Sequence, residues 1–321
     1  MFALDKNVNF SESKFDVLAV GEVLADIISA ELVPSFKEAD EFKRYFGGSP
    51  ANITMNVSNL GANSALITKV GADGIGDYLT EKLVAGGVDV SGVVASDKHN
   101  TSIVMVTQSK ESPDFIAYRD AEKYIEVSDI KEDLITDTKI IHLSTFALSA
   151  PVTRQTLLKV VEIAEKNDKI ISLDPNYRPQ LWEGEEDGPQ FIKNLLGQVN
   201  IVKPSLDDAE ALFGPGSSPR EYIKQFHDLG VELVILTLGA EGVLISTGDE
   251  ELKLDTYADE VVDTTGAGDA FWSGLYASLV DSDRLETAVK VGNGTAALAL
   301  QQVGALADLP NKDQIINRFK I

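Results

Sequence analysis

The chain has 321 residues, 44% of them hydrophobic, enough to fill one large or two modest cores and too many for a disordered polymer. Its 51 Asp and Glu against 28 Lys and Arg leave a formal charge of -23, a surface that repels phosphate backbones and anionic lipids and disfavours nucleic acid and membrane as partners. There is no cysteine, which excludes disulfides and thiolate metal sites, and no run approaches the ~18 apolar residues needed to cross a bilayer. With no basic segment leading into an apolar one near the start, the expected location is the cytoplasm.

Residues 1–14 are polar and read as a frayed N-terminal tail; a single α/β domain is expected over 15–321. The first buried strand is Val17 to Val20, followed by Gly21-Glu22-Val23-Leu24-Ala25-Asp26. Residues 27–46 alternate like strands and have no helix beside them. Then comes Gly47-Gly48-Ser49-Pro50-Ala51-Asn52, a flexible turn entering a helix, with Ser49 suited to cap it and Pro50 to its first position. Asn52, with amide donors and an acceptor on that first turn, suits sugar hydroxyls. A second strand, Ala65 to Val70, ends at Gly71-Ala72-Asp73-Gly74-Ile75-Gly76.

Residues 100–127 again alternate without a helix, and with 27–46 they predict a small antiparallel sheet inserted into the main body. Strands at Ile140 to Leu143, Ile170 to Leu173, Ile201 to Val202 and Val234 to Leu238 alternate with helices such as Val152 to Glu165, whose Leu157, Leu158, Val161 and Ala164 follow three-four spacing. Strand-helix alternation predicts a mostly parallel sheet with right-handed crossovers. In Val261 to Phe271, an apolar pair runs through Gly266-Ala267-Gly268 into a helical pattern, and a buried helix follows over Thr287 to Val303. Glycines at such a junction let backbone N–H groups converge at a helix N-terminus, a cradle for anionic charge. Asp269, in the first turn, is placed to accept a proton from a hydroxyl aimed at the same charge. Neither GxGxxG after the first strand nor GxxxxGK[ST] is present, so dinucleotide and P-loop folds are not indicated.

The string Asp263-Thr264-Thr265-Gly266-Ala267-Gly268-Asp269, with Gly47 to Asn52 and Gly71 to Gly76, resembles the signatures of the ribokinase-like (PfkB) family of sugar kinases, and the likeness runs from about Asp16 to Ala305. The resemblance implies a three-layer α/β/α fold with a mostly parallel central sheet and a small β-sheet lid built from 27–46 and 100–127. It implies Asp269 as the base, with Gly266, Ala267 and Gly268 as the anion hole. Asp26, Gly47, Gly48 and Asn52 would hold the sugar. Thr237, Gly239 and Gly242, in the loop after Val234 to Leu238, would meet ATP phosphates, with Lys203 and Ser205, and Asn293 would border the adenine. Where many relatives carry Asn-x-x-Glu after Lys-Pro, this chain has Ser205 and Asp208; Asp208 is expected to reach Mg2+ through water. Asp263 and Thr265, with backbone oxygens near Gly304, imply K+. A homodimer through the lid is likewise implied.

Asp174-Pro175-Asn176-Tyr177-Arg178 and Tyr118-Arg119-Asp120 resemble the fructokinase branch. They add Tyr118, Arg119, Asp174, Asn176 and Arg178 to the sugar site, and Ser144 to Ser149 would form a wall with Phe146 stacking on the sugar. The expected reaction is fructose to fructose 6-phosphate. Two alternatives stay open: a kinase of 2-keto-3-deoxygluconate or 5-dehydro-2-deoxygluconate, whose acid would suit Arg119 and Arg178, and a non-catalytic sugar-binding regulator, against which an intact Asp269 and glycine turn argue.

Overall fold

Apolar runs short enough to be strands, separated by amphipathic stretches, bury their surface when strands pair in the middle and helices cover both faces. The computed structural model, which describes residues 2–108, 115–182 and 187–321, has that arrangement. In chain order, β1 (Phe15–Val20), β2 (Leu24–Leu32) and β3 (Phe42–Gly47) precede α1 (Ser49–Asn59). Next come β4 (Ser64–Gly71), α2 (Gly74–Ala85), β5 (Asp89–Ser96), β6 (Ile103–Gln108) and β7 (Phe115–Tyr118). Then α3 (Glu132–Thr136), β8 (Thr138–Ser144), α4 (Thr145–Leu148), α5 (Pro151–Lys166) and β9 (Ile170–Asp174) lead to α6 (Gly188–Leu196) and β10 (Ile201–Val202). After α7 (Leu206–Phe213), α8 (Pro219–Asp228) and β11 (Leu233–Thr237), the hairpin β12 (Val243–Ser246) and β13 (Glu251–Leu254) precedes α9 (Ala267–Val280), α10 (Leu285–Ala299) and α11 (Lys312–Phe319).

Among the described residues the main sheet has nine strands, in the order β13-β12-β11-β10-β9-β8-β1-β4-β5. Every pair from β11 to β5 is parallel, and the β11–β12 and β12–β13 pairs are antiparallel. Successive residues of each strand enter opposite layers, as period-2 geometry requires. Leu18, Ile141, Val234 and Leu236 pack under α3 and α5 to α8; Val17, Ile140, Leu233 and Ile235 pack under α1, α9 and α10. Strand order runs away from β1 in both directions. The ends of β1, β4 and β8 therefore flank a topological switch, where open α/β sheets bind ligands.

The small sheet is present, with order β3-β2-β6-β7. Its two outer pairs are antiparallel as expected, but β2 and β6 run parallel, because the two hairpin-like halves come from separate insertions and meet side by side. Residues 109–114 of the second insertion lie outside the described residues.

The tail departs from expectation. Phe2, Leu4, Val8 and Phe10 are half-buried against the layer containing α9 and α10, and Leu285 and Glu286 amides donate to the Lys6 and Leu4 carbonyls at 3.0 Å each. Four apolar residues spread through a polar stretch escape a count of polar content, yet they cover the layer's edge well enough to hold the segment down.

Candidate active site

The left-handed turn before α9 sets the site. Gly266 has φ 75°, and a Cβ there would lie 2.3 Å from the Ala305 carbonyl oxygen, so only glycine fits. The turn releases the chain into α9 with Asp269 in its first turn. Among the described residues, the N–H groups of Gly266, Gly268 and Asp269 meet no backbone or side-chain acceptor, whereas that of Ala267 donates to Thr264 O at 3.3 Å. Of the turn expected to receive an anion, Gly266, Gly268 and the following Asp269 thus keep N–H groups open while Ala267 is engaged with Thr264, and the helix dipole adds positive potential there.

Asp269 is met by the first turn of α1. Ser49 Oγ donates to its Oδ1 at 2.6 Å and Asn52 Nδ2 to its Oδ2 at 2.9 Å. The N-cap position of α1 is Gly48, so Ser49 spends its hydroxyl on the carboxylate instead of capping the helix. Burial pushes the Asp269 carboxyl up to about 6; Asp174 adds to the rise, and Ser49, Asn52 and Lys203 oppose it. Asp26, on β2, stands against Gly47: a Cβ on Gly47 would lie 2.2 Å from Asp26 Oδ2. Gly48, at φ 100°, is pressed on the Glu22 carbonyl in the same way, 2.6 Å from a would-be Cβ. Among the described residues nothing donates a hydrogen bond to the Asp26 carboxylate. Burial, then the charge of Asp269, raise Asp26 to about 7. The two carboxylates therefore titrate as a pair.

One wall differs from expectation. Arg119 is spent within the protein: Nε and Nη2 donate to the two oxygens of Glu122 at 2.8 and 3.0 Å, Nη1 to Ser149 Oγ at 2.6 Å, and Nη2 also to Phe146 O at 3.0 Å. Glu122 is fully buried and requires that counter-ion. The Arg119 guanidinium also lies 4.1 Å over the Phe146 ring, so one face of Phe146 stacks on arginine. Glu22, unassigned from sequence, is buried beside them, accepts from Ser144 Oγ at 2.9 Å and is pushed by burial up to about 8. Beyond Arg119 opens a cleft of about 690 Å³ reached by Asp73, Thr101, Ile103, Tyr118 and Asp120; Ile103 pairs with Ala25, next to Asp26. Tyr118 stands on its rim, 55% exposed.

Several residues expected to meet ligands also bond within the protein. Asp174 is buried, accepting from Trp272 Nε1 at 2.9 Å and lying 3.5 Å from Lys203 Nζ, so its protein neighbours are a lysine and an indole. Asn176, half-buried in the same turn, has φ 24°. Arg178 is exposed and donates to its neighbour's carbonyl, Tyr177 O, at 3.3 Å. Asp208 closes a capping box on α7 through Ser205 N and Oγ and also accepts from Tyr177 N. Thr237 donates through its amide to Pro204 O at 2.9 Å, which sets it beside Ser205. Gly239 faces open space, but a Cβ on Gly242 would lie 2.0 Å from Leu254 O, so chain packing accounts for that glycine. Asn293 is buried on α10 and donates to Asp255 O at 2.9 Å, while Gly292 and Gly294 admit the close approach of Phe271 and Phe319. Asp263 and Thr265 do come together: Asp263 accepts from Thr265 N and Oγ1 and from Gly304 N, at 2.8–2.9 Å. Among the described residues, no three His, Asp or Glu side chains converge to hold a metal ion directly.

A sequence model described as pfkB family carbohydrate kinase matches residues 14–312. The ATP-dependent 6-phosphofructokinase of Thermoanaerobacterium thermosaccharolyticum is 44% identical over 100% of this chain and 99% of its own. The 5-dehydro-2-deoxygluconokinase of Bacillus subtilis is 28% identical over 95% of this chain and 96% of its own. Among solved structures, a fructokinase from Halothermothrix orenii superposes with a TM-score of 0.81 at 40% identity, covering 88% of this chain and 99% of its own. A ribokinase II from E. coli in complex with ATP and Mg2+ superposes with a TM-score of 0.85 at 27% identity, covering 95% and 99%.

The Ser49 bond favours the ionised form of Asp269, and a hydrogen bond to a charged group contributes about 1.5–3 kcal/mol, or about one to two pH units. Ser49→Ala is therefore expected to move the Asp269 midpoint from about 6 upward by about one unit, measured by carboxyl-carbon NMR titration. An unmoved or lowered midpoint contradicts this arrangement.

Proposed function

The chain belongs to the pfkB family of carbohydrate kinases, ATP-dependent enzymes, and from that premise we propose that it phosphorylates fructose at its terminal hydroxyl, O6. The observation that carries this reading is the carboxylate pair. Among the described residues, Asp269 stands beside unpaired N–H donors and no protein group donates to the Asp26 carboxylate, as suits a group that accepts from sugar hydroxyls. In the proposed reaction the O6 proton passes to Asp269 as the oxygen attacks the γ-phosphorus. The bond from that phosphorus to the β-bridging oxygen breaks, and ADP leaves. The N–H groups of Gly266, Gly268 and Asp269 stabilise charge on the phosphoryl oxygens. Asn52 and Ser49 orient the base, and the small sheet, which carries Asp26, shields the transfer from water.

Mg2+, when bound with ATP, supplies charge neutralisation on the phosphates. A carboxylate offers about four acceptor positions, and three of those on Asp208 are taken by Ser205 and Tyr177. One remains, which fits a magnesium-bound water better than direct ligation. Lys203, with Thr237 and Gly239, would face the phosphates.

A neutral acceptor is favoured by the cleft beyond Arg119. Asp73 is buried enough to oppose ionisation, but donors from Thr101, Gly76 and Ile75 outweigh that and hold it below the usual range; Asp120 is held low in the same way by Asn100 and His99. Two carboxylates thus line the distal compartment, while Arg119 is neutralised by Glu122. A second reading, a sugar phosphate as acceptor, follows the name of the 44% identical relative, and a sugar acid follows the deoxygluconokinase. Either anion would meet those carboxylates.

With saturating MgATP, kcat/KM is expected to be highest for fructose among fructose, fructose 6-phosphate, 2-keto-3-deoxygluconate and 5-dehydro-2-deoxygluconate. Asp269→Asn should reduce kcat by about 10²–10⁴-fold, the range for general base catalysis. Preference for fructose 6-phosphate or an acid overturns the substrate, and undiminished turnover in the variant overturns the base. Because a protonated base cannot accept, kcat should rise with pH through about 6.

A monovalent cation is proposed beside Asp263. Burial opposes its ionisation, but donors from Gly304, Thr265 and Thr264 hold it low, leaving a persistent negative charge near the turn. Adding K+ to enzyme in a K+-free buffer should raise kcat, and Asp263→Asn should abolish the response; equal turnover with and without K+ removes the site. A homodimer through the lid is proposed from its exposed Leu32, Phe115, Ile116 and Tyr118. Sedimentation should show a dimer that Ile116→Lys converts to monomer, and a wild-type monomer contradicts it.

A further inference from the structure

We propose that Trp272 and Asp174 are positioning residues that hold the Lys203 ammonium beside the Gly268 backbone, where the migrating phosphoryl group is received. This rests on the kinase reading above. The three side chains form a buried chain of contacts: Trp272 is 0%, Lys203 4% and Asp174 6% exposed. Trp272 Nε1 donates to Asp174 Oδ2 at 2.9 Å, and the same oxygen lies 3.5 Å from Lys203 Nζ. A Cβ built on Gly268 would lie 3.4 Å from that ammonium, which places the charge against the anion-receiving turn.

Burying an ammonium and a carboxylate is costly unless each is matched, and here they match one another. The match is incomplete in an informative way. At 3.5 Å the pair is held by charge without a short hydrogen bond, and among the described residues no acceptor lies within hydrogen-bond geometry of Lys203 Nζ. Three donors are left for an incoming anion. The carboxylate prevents the flexible four-carbon stem from swinging away, and the indole prevents the carboxylate from turning.

The indole is itself fixed. Its ring stacks on Tyr276 with centroids 5.2 Å apart, and His142 meets it edge-on, also at 5.2 Å. Tyr276 OH sits 2.8 Å from His142 Nδ1 and 2.6 Å from Ser172 Oγ. Burial, then the nearby Lys203 charge, pushes His142 down to about 3, so it stays neutral and brings no competing cation. Trp272 also follows the base by three residues on α9, hence on the same helical face. One helix thus presents the proton acceptor and, through Asp174, fixes the cation. The charges of Asp174 and Lys203 both act on Asp269, in opposite senses.

A double-mutant cycle tests this on the full chain. Trp272→Phe keeps a ring and removes the N–H donor; Lys203→Met removes the cation. Trp272→Phe alone is expected to lower kcat about tenfold, the scale of one lost charge-assisted contact, with sugar KM unchanged. In the Lys203→Met background the same substitution should cost nothing further. The acid limb of kcat should move up in Lys203→Met. If Trp272→Phe costs the same factor in both backgrounds, Trp272 does not act through Lys203 and the proposal is overturned. If Lys203→Met itself leaves kcat, the KM for ATP and the acid limb unchanged, the assignment of Lys203 to the phosphates fails instead, and the proposal falls with that premise. Should Trp272→Phe not fold, Asp174→Asn takes its place in the cycle and must show the same non-additivity.

Discussion

A carboxylate in the first turn of α9 takes two hydrogen bonds from the first turn of α1, more than two hundred residues earlier, and the rest of the site is arranged around that junction. Ser49 and Asn52 stabilise the ionised form of Asp269, while burial opposes it; the outcome is a midpoint of about 6 rather than a fully suppressed or fully ordinary acid. A group poised there is ionised at neutral pH and still basic enough to take a proton. Because α1 and α9 pack on the same face of the sheet, the contact also fixes how the two motif-bearing helices meet.

Close backbone approach does the remaining positioning. Gly47 lets the Asp26 carboxylate lie against β3, Gly48 lets the chain pass the Glu22 carbonyl, and Gly266 lets it turn beneath Ala305. Each would clash if it carried a side chain, so the glycine pattern is a record of where segments touch. The small sheet then contributes its central strand β2, and with it Asp26, to a crevice already prepared by the strand order of the main sheet.

The parts legible in the sequence were those encoded locally. Buried strands such as Val17 to Val20 announce themselves as apolar runs, and Gly266 to Asp269 carries its own turn chemistry. What could not be read depended on distant partners. Asp174 looked available to a sugar because nothing nearby predicts that Trp272 and Lys203 converge on it. Arg119 looked free for a ligand because the burial of Glu122 is a property of the fold. Nothing in the sequence near Asn293 and Gly242 signals that they also meet the loop at Asp255 and the passage of β13. Ser49 was visible as a helix-start residue, but its bond to Asp269 was not, and Glu22 had no signal beyond an acid flanked by apolar residues. The parallel β2–β6 junction was hidden for the same reason, since alternation identifies strands and says nothing of their neighbours.

The most direct measurement is a crystal structure of the chain with fructose and a non-hydrolysable ATP analogue. The sugar O6 is expected within about 2.6–3.2 Å of an Asp269 carboxylate oxygen, the span of a proton-transfer contact, with Asp26 accepting from other hydroxyls and the terminal phosphate at the Gly266–Gly268 turn. A sugar bound with every hydroxyl beyond reach of Asp269, or a terminal phosphate lying away from that turn, would contradict it.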